Sequence, residues 1–377
     1  MKLRTKILLS VLFAVLCWLA WMETVEYSYP EAKEIGKRLN YLQRVIDQPL
    51  SPGSDIMLLR GESFEFILFT YAYSTYALTN LAVKDSTYRD VAARLIRKSI
   101  SDVLSETVAR PYGIEQPVNL PDSLPHYSVL YMGHLNLMMG CYRLISNDTA
   151  FNRLNDKISA SLAGRYRSVG FMNLESYPSA IWIPDNTVAI ASLGLHSMNA
   201  GSGYDSVCRQ WVQYAREHYI EQETNTLYST IDSHTGAPKE EPRGSMLGWS
   251  MMFIYQFDPG FAVDLYQDYK KHFSSNYFVF RLFRERYDNT ETSIGDIDSG
   301  PVFRGYSIPA NEFALPNAVL AGDYRTARKI ERLIRFGAKE ITRDHELKYK
   351  VRFVDMNISP MAEAIVLYSL TMVRWTR

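Results

Sequence analysis

The chain has 377 residues, of which 47% are hydrophobic and 22% charged, so it can bury a large core and global disorder is excluded. Forty-one basic residues balance forty-one acidic ones, and no basic run follows the first six residues, which argues against nucleic acid as a partner. Aromatic residues reach 13%, a content that suits a pocket stacking against rings or isoprenoid-like chains and equally suits half-wet cores.

The N-terminus combines a basic flank with an apolar run. Lys2, Arg4 and Lys6 precede a stretch from Ile7 to Met22 that one serine interrupts. At ~1.5 Å per residue the run spans roughly 24 Å, a little less than a full hydrocarbon core. The last residues of the run, Leu19–Met22, are mostly bulky, so no convincing cleavage site is present. The sequence predicts an uncleaved signal anchor over residues 1–25. The positive-inside rule places it as a single-pass helix in the inner (cytoplasmic) membrane, with the body on the periplasmic or extracytoplasmic side.

Cysteine and histidine patterns give little support to redox or metal chemistry. Cys141 and Cys208 are the cysteines of the exported body, and they form either one disulfide or, as we expect, two buried thiols. Neither has Cys-x-x-Cys spacing. The seven histidines never fall at i and i+4 of one helix. We therefore predict no metal and no cofactor.

Beyond the anchor, segments apolar on nearly every side alternate with segments that carry one apolar stripe. The first kind comprises Ser63–Ala82, Tyr127–Ile145, Asn186–Met198, Gly244–Gln256, Ala310–Ala321 and Pro360–Val373. The second comprises Glu31–Asp47, Ser86–Val108, Thr149–Arg165, Tyr204–His218, Gly260–His272 and Tyr324–Arg335. A helix apolar all round is buried all round, whereas a striped helix lies outside it. This pattern predicts an all-α fold, an (α/α)6 barrel or toroid, as one domain over residues 26–377.

The longer connections are candidates for function, because long loops in compact domains are usually functional. The connection Ala109–Pro125 is predicted to cross the mouth of the barrel, and Phe273–Pro309 is the longest. Tyr219–Ile231 is typical of a short hairpin with Asn225 near its turn.

Polar residues at the starts or interruptions of inner helices mark candidate sites. Arg60 and Glu62 precede the first inner helix, where pairing and capping explain them better than substrate binding. His134 and Asn136 interrupt the second inner helix, close to Tyr131. His134 is either satisfied within the core or acts as an acid, base or hydrogen-bond donor, since an unperturbed histidine titrates near neutrality.

Two further candidates carry carboxylates. Asp185 and Asn186 follow Trp182 and open the third inner helix. Asp185 either caps that helix or acts in acid–base chemistry, and the helix dipole favours its ionised form, hence a base. Asp296 and Asp298 lie in the longest loop, in a Ser-Gly-Pro turn that we interpret as a rim site, with Asn311 and Glu312 at the next inner helix. Before the closing helix, the segment Asp355–Asn357 indicates capping by Asn357 or Ser359.

Three of these motifs together resemble the linalool dehydratase/isomerase-like family, whose fold is an (α/α)6 barrel. They are Met132–Asn136, Pro184–Asn186 and Asp296–Pro301. Known members remove water from a monoterpene alcohol, or shift its hydroxyl, without a cofactor. The resemblance implies a lyase or isomerase acting by acid–base chemistry on a small hydroxylated, isoprenoid-like substrate. It also implies that His134 lies beside the substrate hydroxyl and that Tyr71 or Tyr73 lines the cavity, while Asp185 stands where the family has a cysteine.

We therefore predict that three side chains converge on one cavity: Asp185 as the principal acid–base group, His134 as its partner and Asp298 as an orienting or second acidic residue. The predicted substrate-binding residues are Tyr71, Tyr73, Tyr131, Asn136, Trp182, Asn186 and Glu312. Two alternatives stay open, because a fold does not settle function. The first is a carbohydrate-active toroid using paired carboxylates, such as Asp185 with Asp298 or Glu312. The second is a non-catalytic binding scaffold tethered to the membrane.

Overall fold

The computed structural model of this chain describes residues 3–114, 128–288, 295–353 and 356–376. Most of the connection predicted to cross the barrel mouth, and also Asp355, lie outside the described residues.

The described residues form fifteen α-helices and nine short strands. In chain order the helices are α1 (Leu3–Thr24), α2 (Ala32–Asp47), α3 (Asp55–Leu58), α4 (Glu65–Lys84), α5 (Arg89–Val103), α6 (Glu106–Ala109), α7 (Val129–Ile145), α8 (Asn152–Ser168), α9 (Ile183–Ala200), α10 (Asp205–His218), α11 (Gly244–Phe257), α12 (Pro259–Phe273), α13 (Ile308–Leu320), α14 (Tyr324–Gly337) and α15 (Pro360–Thr371).

Six helices form a closed inner ring, because their surfaces are apolar on almost every side. Helix α4 packs against α7, α7 against α9, α9 against α11, α11 against α13, α13 against α15, and α15 back against α4. Helices α2, α5, α8, α10, α12 and α14 bury one stripe each and lie outside this ring. The predicted (α/α)6 barrel is confirmed, and each predicted inner and outer segment corresponds to one of these helices.

All six inner helices run in the same direction along the barrel axis, since each outer helix returns the chain to the starting end. We call the end where the inner helices begin the mouth end, and the opposite end the far end. Close helix contacts need small residues: a Cβ added to Gly133 of α7 would lie 3.1 Å from the Cβ of Ala189 in α9. Gly133 therefore admits a neighbouring helix.

The strands lie at the mouth end, in the connections that lead into inner helices. They are β1 (Ile181–Trp182), β2 (Thr230–Ile231), β3 (Pro238–Glu240), β4 (Ser274–Tyr277), β5 (Phe280–Phe283), β6 (Val302–Phe303), β7 (Tyr306–Ser307), β8 (Ala338–Arg343) and β9 (Glu346–Val351). All pairings are antiparallel: β1 with β2, β2 with β3, β4 with β5, β6 with β7, and β8 with β9. The predicted hairpin near Asn225 is present as an Ile220–Leu227 bridge, with Asn225 at a φ of 54°.

Helix α1 is long and apolar enough to cross a membrane: the most apolar stretch within Arg4–Thr24 has a mean hydropathy of 2.0, and none of that stretch is buried against the barrel. In the barrel, Cys141 and Cys208 are buried free thiols, so they behave as small hydrophobic side chains.

Candidate active site

A cavity of about 330 Å³ opens at the mouth end, where the six inner helices begin. Each inner helix contributes its first turns, and the connections before α9 and α13 complete the wall. The lining residues are Glu65, Phe66, Phe69, Leu130, Tyr177, Trp182, Pro184, Asp185, Ser245, Met246, Trp249, Ile297, Asp298, Pro309, Glu312, Phe313, Met361 and Ile365. This volume lies at the lower end of the range for small-molecule sites.

Four carboxyl groups from different parts of the chain meet in this cavity: Glu65, Asp185, Asp298 and Glu312. Burial is the first cause of the raised pKa at each of them, because removal from water penalises the charged form. The pKa is raised to about 7 at Glu65, about 8 at Asp185, about 6 at Asp298 and about 7 at Glu312. Near neutral pH the cavity therefore holds protonated and ionised carboxyl groups side by side.

Asp185 lies in the first turn of α9, one residue after Pro184, and is 7% exposed. It does not cap the helix: Trp182 holds the N-cap position, and no side chain bonds there. Burial, together with the nearby charges of Glu65 and Asp298, raises the pKa of Asp185, while a hydrogen bond with Ser176 opposes this rise. Burial therefore favours the protonated form of Asp185 at neutral pH, whereas the sequence led us to expect that the helix dipole favours the ionised form.

Trp182 and Asn186 lie close together at the start of α9 but have different roles. Trp182 lines the cavity and contacts the ring of Tyr177 edge-on, at 5.9 Å between centroids. Asn186 is fully buried away from the cavity lining. It accepts from the Leu174 backbone N–H at 2.7 Å and donates to the Trp182 carbonyl at 2.8 Å. Asn186, predicted to bind substrate, thus connects the start of α9 to the preceding loop and does not line the cavity.

The loop that carries Asp298 is held by a buried arginine. Arg243, just before α11, bonds Glu285 Oε1 at 2.7 Å and Asp296 Oδ1 at 2.7 Å, and it lies 3.8 Å from Asp298 Oδ2. Asp296 also accepts from the Ser299 backbone N–H at 2.8 Å. Asp296 therefore serves the turn, whereas Asp298 faces the cavity. The Arg243 charge opposes the rise of the Asp298 pKa, so Asp298 has the lowest pKa of the four carboxyl groups.

Glu65 lines the cavity, although it is not among the candidate residues predicted from the sequence. Its backbone N–H does bond Ser63 Oγ at 3.2 Å, as at a helix start, but its side chain lines the cavity and accepts a hydrogen bond from the Tyr177 hydroxyl. Its position in the first turn of an inner helix, like that of Asp185 and Glu312, is the signal that identifies it. Arg60 and Glu62 are exposed and do not line the cavity.

His134 does not line the cavity. Of the three residues predicted to converge there, Asp185 and Asp298 line it. The His134 ring packs behind two cavity residues, 5.5 Å from the Phe69 ring and 5.7 Å from the Trp249 ring. Its Nδ1 lies 2.8 Å from the Tyr76 hydroxyl. Complete burial lowers the pKa of His134 to about 3, which keeps the imidazole neutral. The geometry is that of a core histidine.

The remaining predicted binding residues are also part of the core. The Tyr71 hydroxyl donates to Asp102 at 2.8 Å, and the Tyr131 hydroxyl donates to the Val103 carbonyl at 2.9 Å. Asn136 donates to Ser159 and Ser192 between α7, α8 and α9. Tyr73 supports the cavity wall from behind, with its ring 5.3 Å from that of Trp249. These four residues, predicted to bind substrate, do not line the cavity.

The cavity has an aromatic wall and an aliphatic wall. Phe69, Trp249 and Phe313 form a contiguous aromatic group, with Trp249 5.1 Å from Phe69 and 5.6 Å from Phe313. Aliphatic and thioether side chains complete the lining: Leu130, Met246, Ile297, Met361 and Ile365. Among the described residues, no group of three or more His, Cys, Asp or Glu side chains is arranged to hold a metal ion. At the last candidate site, Ser359 caps α15 by accepting from the Ala362 N–H at 3.2 Å.

No profile of a known protein family matches the chain. The fold is similar to that of solved carbohydrate-active enzymes. One is the GH76A α-1,6-mannanase from Salegentibacter sp. HEL1_6, with a TM-score of 0.53 and 9% identity over 90% of this chain and 98% of the mannanase. Another is an unsaturated glucuronyl hydrolase specific for heparin, with a TM-score of 0.54 and 12% identity over 94% of this chain and 96% of the hydrolase. At such identities the likeness establishes the (α/α)6 fold. It extends to neither the lyase or isomerase activity nor the substrate implied by the resemblance to linalool dehydratase/isomerase.

Proposed function

We propose that the chain is a carbohydrate-active enzyme that cleaves a glycosidic bond in the cavity at the mouth end. The observation that carries this proposal is the meeting of several carboxyl groups from separate helical hairpins in one cavity walled by Trp and Tyr side chains. Glycoside cleavage needs two carboxyl groups in different protonation states, one to protonate the leaving oxygen and one to act as a base or nucleophile.

Asp185 is the candidate general acid, because burial favours its protonated form at neutral pH. Asp298 is the candidate partner, since its pKa of about 6 leaves it largely ionised at the same pH. In the hydrolytic reaction, Asp185 gives its proton to the glycosidic oxygen as the bond from that oxygen to the anomeric carbon breaks. A water oxygen bonds to the anomeric carbon in its place, and Asp298 accepts the proton that this water loses. The pair then returns to its starting state by exchange with solvent.

Glu65 and Tyr177 form a second polar pair in the cavity, joined by the hydrogen bond from the Tyr177 hydroxyl. We assign them to binding sugar hydroxyl groups, because a carboxyl and a phenol together supply both acceptors and a donor. Trp249 and Trp182 offer ring faces and edges for the apolar face of a sugar ring.

The fold neighbours suggest which sugars to test first. The mannanase is known in a complex of an inactive variant with α-1,6-mannotetrose, and the other neighbour is an unsaturated glucuronyl hydrolase specific for heparin. The test is a panel of mannosides, glucuronides, unsaturated uronides and related oligosaccharides, assayed with the parent and with the Asp185→Asn and Asp298→Asn variants. The proposal requires turnover of at least one glycoside that both variants lose. Turnover of none of them by the folded parent would overturn it.

A second candidate follows from the aliphatic wall of the cavity, formed by residues such as Leu130, Met246 and Ile365. This wall suits a small apolar alcohol, for which Asp185 would protonate the leaving hydroxyl and a second carboxylate would remove a proton from the neighbouring carbon. Incubation with monoterpene and other isoprenoid alcohols, followed by gas chromatography, separates the two candidates: formation of an alkene or a rearranged alcohol in the absence of glycoside turnover favours the second.

A further inference from the structure

The exposed apolar side chains of the barrel are concentrated at one end. Outside α1 and within the described residues, the large hydrophobic side chains that are more than half exposed are Leu58, Tyr277, Phe278, Ile297, Phe303, Ile308, Phe336, Phe353 and Met356. All of them lie at the mouth end: Phe336 is in the last turn of outer helix α14, and the others are in segments that lead into, or begin, an inner helix. The less exposed examples near the far end, Tyr29, Val83, Met198 and Tyr324, reach 38–44%.

Four exposed phenylalanines form the most prominent part of this surface, which we call the mouth rim: Phe278 at the tip of the β4–β5 hairpin, Phe303 in β6, Phe336 in the last turn of α14 and Phe353 just after β9. Phe303 is 74% exposed, and Phe278 and Phe353 are each 70% exposed. Phe336 and Phe353 contact each other at 5.7 Å between ring centroids. The exposed Arg304 places its guanidinium 5.6 Å from the Phe303 ring. A soluble monomer rarely leaves such a cluster uncovered without a binding partner.

Helix α1 extends toward the mouth end of the barrel, where the mouth rim lies. Three contacts follow α14 in antiparallel order: Arg325 with Glu26 at 3.7 Å, Lys329 with Glu23 at 2.6 Å, and Arg332 with the Met22 carbonyl at 3.0 Å. Because α14 is an outer helix, it runs from the far end to the mouth end. Moving toward the N-terminus along α1 therefore leads toward the mouth.

The C-terminal end of α1 is also linked, through Lys329, to a mouth-end hairpin. The Lys329 ammonium that pairs with Glu23 donates to Asn276 Oδ1 in β4 at 2.9 Å. At the other side, Tyr27 is held by its backbone bond to Tyr324 at 2.9 Å and its hydroxyl bond to Leu370 at 3.4 Å. The connection between α1 and the barrel is thus short and bonded at both ends, so the direction of α1 determines which end of the barrel faces the bilayer.

We propose that the mouth rim docks on the bilayer that α1 enters, so that the cavity opens onto the lipid surface. Aromatic side chains and arginines are the groups that favour the membrane interface. Resting on the proposed function, we further infer the substrate class: an amphiphile with a saccharide head and a lipid tail, held in that bilayer. Its tail stays among the lipids while its head reaches the carboxyl groups of the cavity.

The docking is tested with the full chain reconstituted in vesicles of phosphatidylcholine and phosphatidylglycerol. In a Cys17→Ser background, single substitutions Phe278→Cys and Phe303→Cys carry a bimane label at the rim, and Val83→Cys and Met198→Cys carry it at the far end. Spin-labelled lipids quench a label that lies at the interface. We expect at least roughly twofold loss of fluorescence at the rim positions and none at the far-end positions, because only the rim contacts lipid. Equal quenching at both ends, or none at the rim, would overturn the docking.

The substrate class is tested by comparing two forms of one glycoside. A long-chain alkyl glycoside in vesicles represents the membrane-borne substrate, and a soluble methylumbelliferyl glycoside of the same sugar is the reference. The double variant Phe278→Ser/Phe303→Ser should lower kcat/KM on the vesicle-borne substrate roughly tenfold or more, since two apolar anchors are lost, and leave soluble turnover unchanged. Val83→Ser is the matched far-end control. An equal fall on both substrates contradicts the inference. Rim quenching without turnover of any glycoside instead refutes the proposed function and leaves the docking in place.

Discussion

Asp185 and Asp298 reach the same cavity from different helical hairpins, and the charge of Asp298 is one of the causes that raise the pKa of Asp185. Asp185 is nearly fully buried in the first turn of α9, whereas the side chain of Asp298 is 35% exposed and lies 3.8 Å from Arg243. The two carboxyl groups therefore differ in pKa, because Asp185 is more deeply buried and Asp298 has a cationic neighbour. This difference is what acid–base catalysis by a carboxyl pair requires.

The pair predicts a bell-shaped pH dependence of kcat/KM. Activity should fall below about pH 6, as Asp298 becomes protonated and ceases to act as a base, and above about pH 8, as Asp185 loses the proton it must donate. The maximum is expected near neutrality. A rate measured from pH 4.5 to 9.5 on one glycoside checks it, and an activity that rises steadily through pH 9 would contradict Asp185 as the acid.

Replacing Asp185 by Asn should lower kcat by roughly 10²–10⁴, because the amide has similar size but cannot deliver a proton. The fold should persist, since the Asp185 side chain does not cap α9. Asp205→Asn is the matched control: Asp205 also lies in the first turn of a helix, but in outer helix α10 and exposed. Circular dichroism and thermal unfolding accompany the assay. Full activity in Asp185→Asn would remove Asp185 from the mechanism.

Arg243 is predicted to position Asp298 and to limit the rise of its pKa. Substitution Arg243→Gln should move the acid limb of the pH profile upward by roughly one unit or more, because a nearby positive charge that favours the carboxylate is lost. Arg243→Lys keeps the charge and should retain most of the parent profile. A limb that stays in place in a folded Arg243→Gln protein would limit Arg243 to a structural role.

His134 is predicted to matter for stability more than for catalysis. It is buried behind Phe69 and Trp249, and its ring stays neutral across the physiological range because burial lowers its pKa to about 3. His134→Phe should destabilise the protein by roughly 1–3 kcal/mol by leaving the buried Tyr76 hydroxyl without its partner. It should change kcat/KM by less than about tenfold. Urea unfolding and steady-state kinetics measure the two effects, and a larger catalytic loss with unchanged stability would restore the predicted catalytic role.

Glu312 is predicted to make the protein less stable as pH rises. Its pKa in the folded state is raised to about 7 by burial and by Glu363, so its contribution to stability is full below the unfolded pKa and is lost as pH rises through 7. Glu312→Gln removes this titration. The variant should gain roughly 1–3 kcal/mol relative to the parent between pH 5 and 8.5, measured by denaturant unfolding. The exposed Glu106→Gln is the control, and a stability difference independent of pH would refute the assignment.

The architecture could be predicted from the sequence, because the burial of a helix determines which of its positions are apolar. Segments such as Ser63–Ala82 are apolar on every side, while Tyr324–Arg335 carries one stripe, and each pattern has one stable position in a two-layer ring. The start of the third inner helix was also recognised from Asp185 and its aromatic neighbours. These are local properties, since they depend on which residue types follow one another along a helix.

The tertiary structure alone decided which polar residues face the cavity and which protonation state they favour. His134 and Glu65 both lie on inner helices, yet a few residues of difference in depth along the barrel axis put His134 among core rings and Glu65 at the cavity wall. The protonation of Asp185 depends on its burial and on Asp298, a residue from another hairpin, and no local pattern encodes that distance. Long-range packing sets the solvent exposure and the neighbouring charges of each carboxyl group, and these two quantities determine the chemistry available to the site.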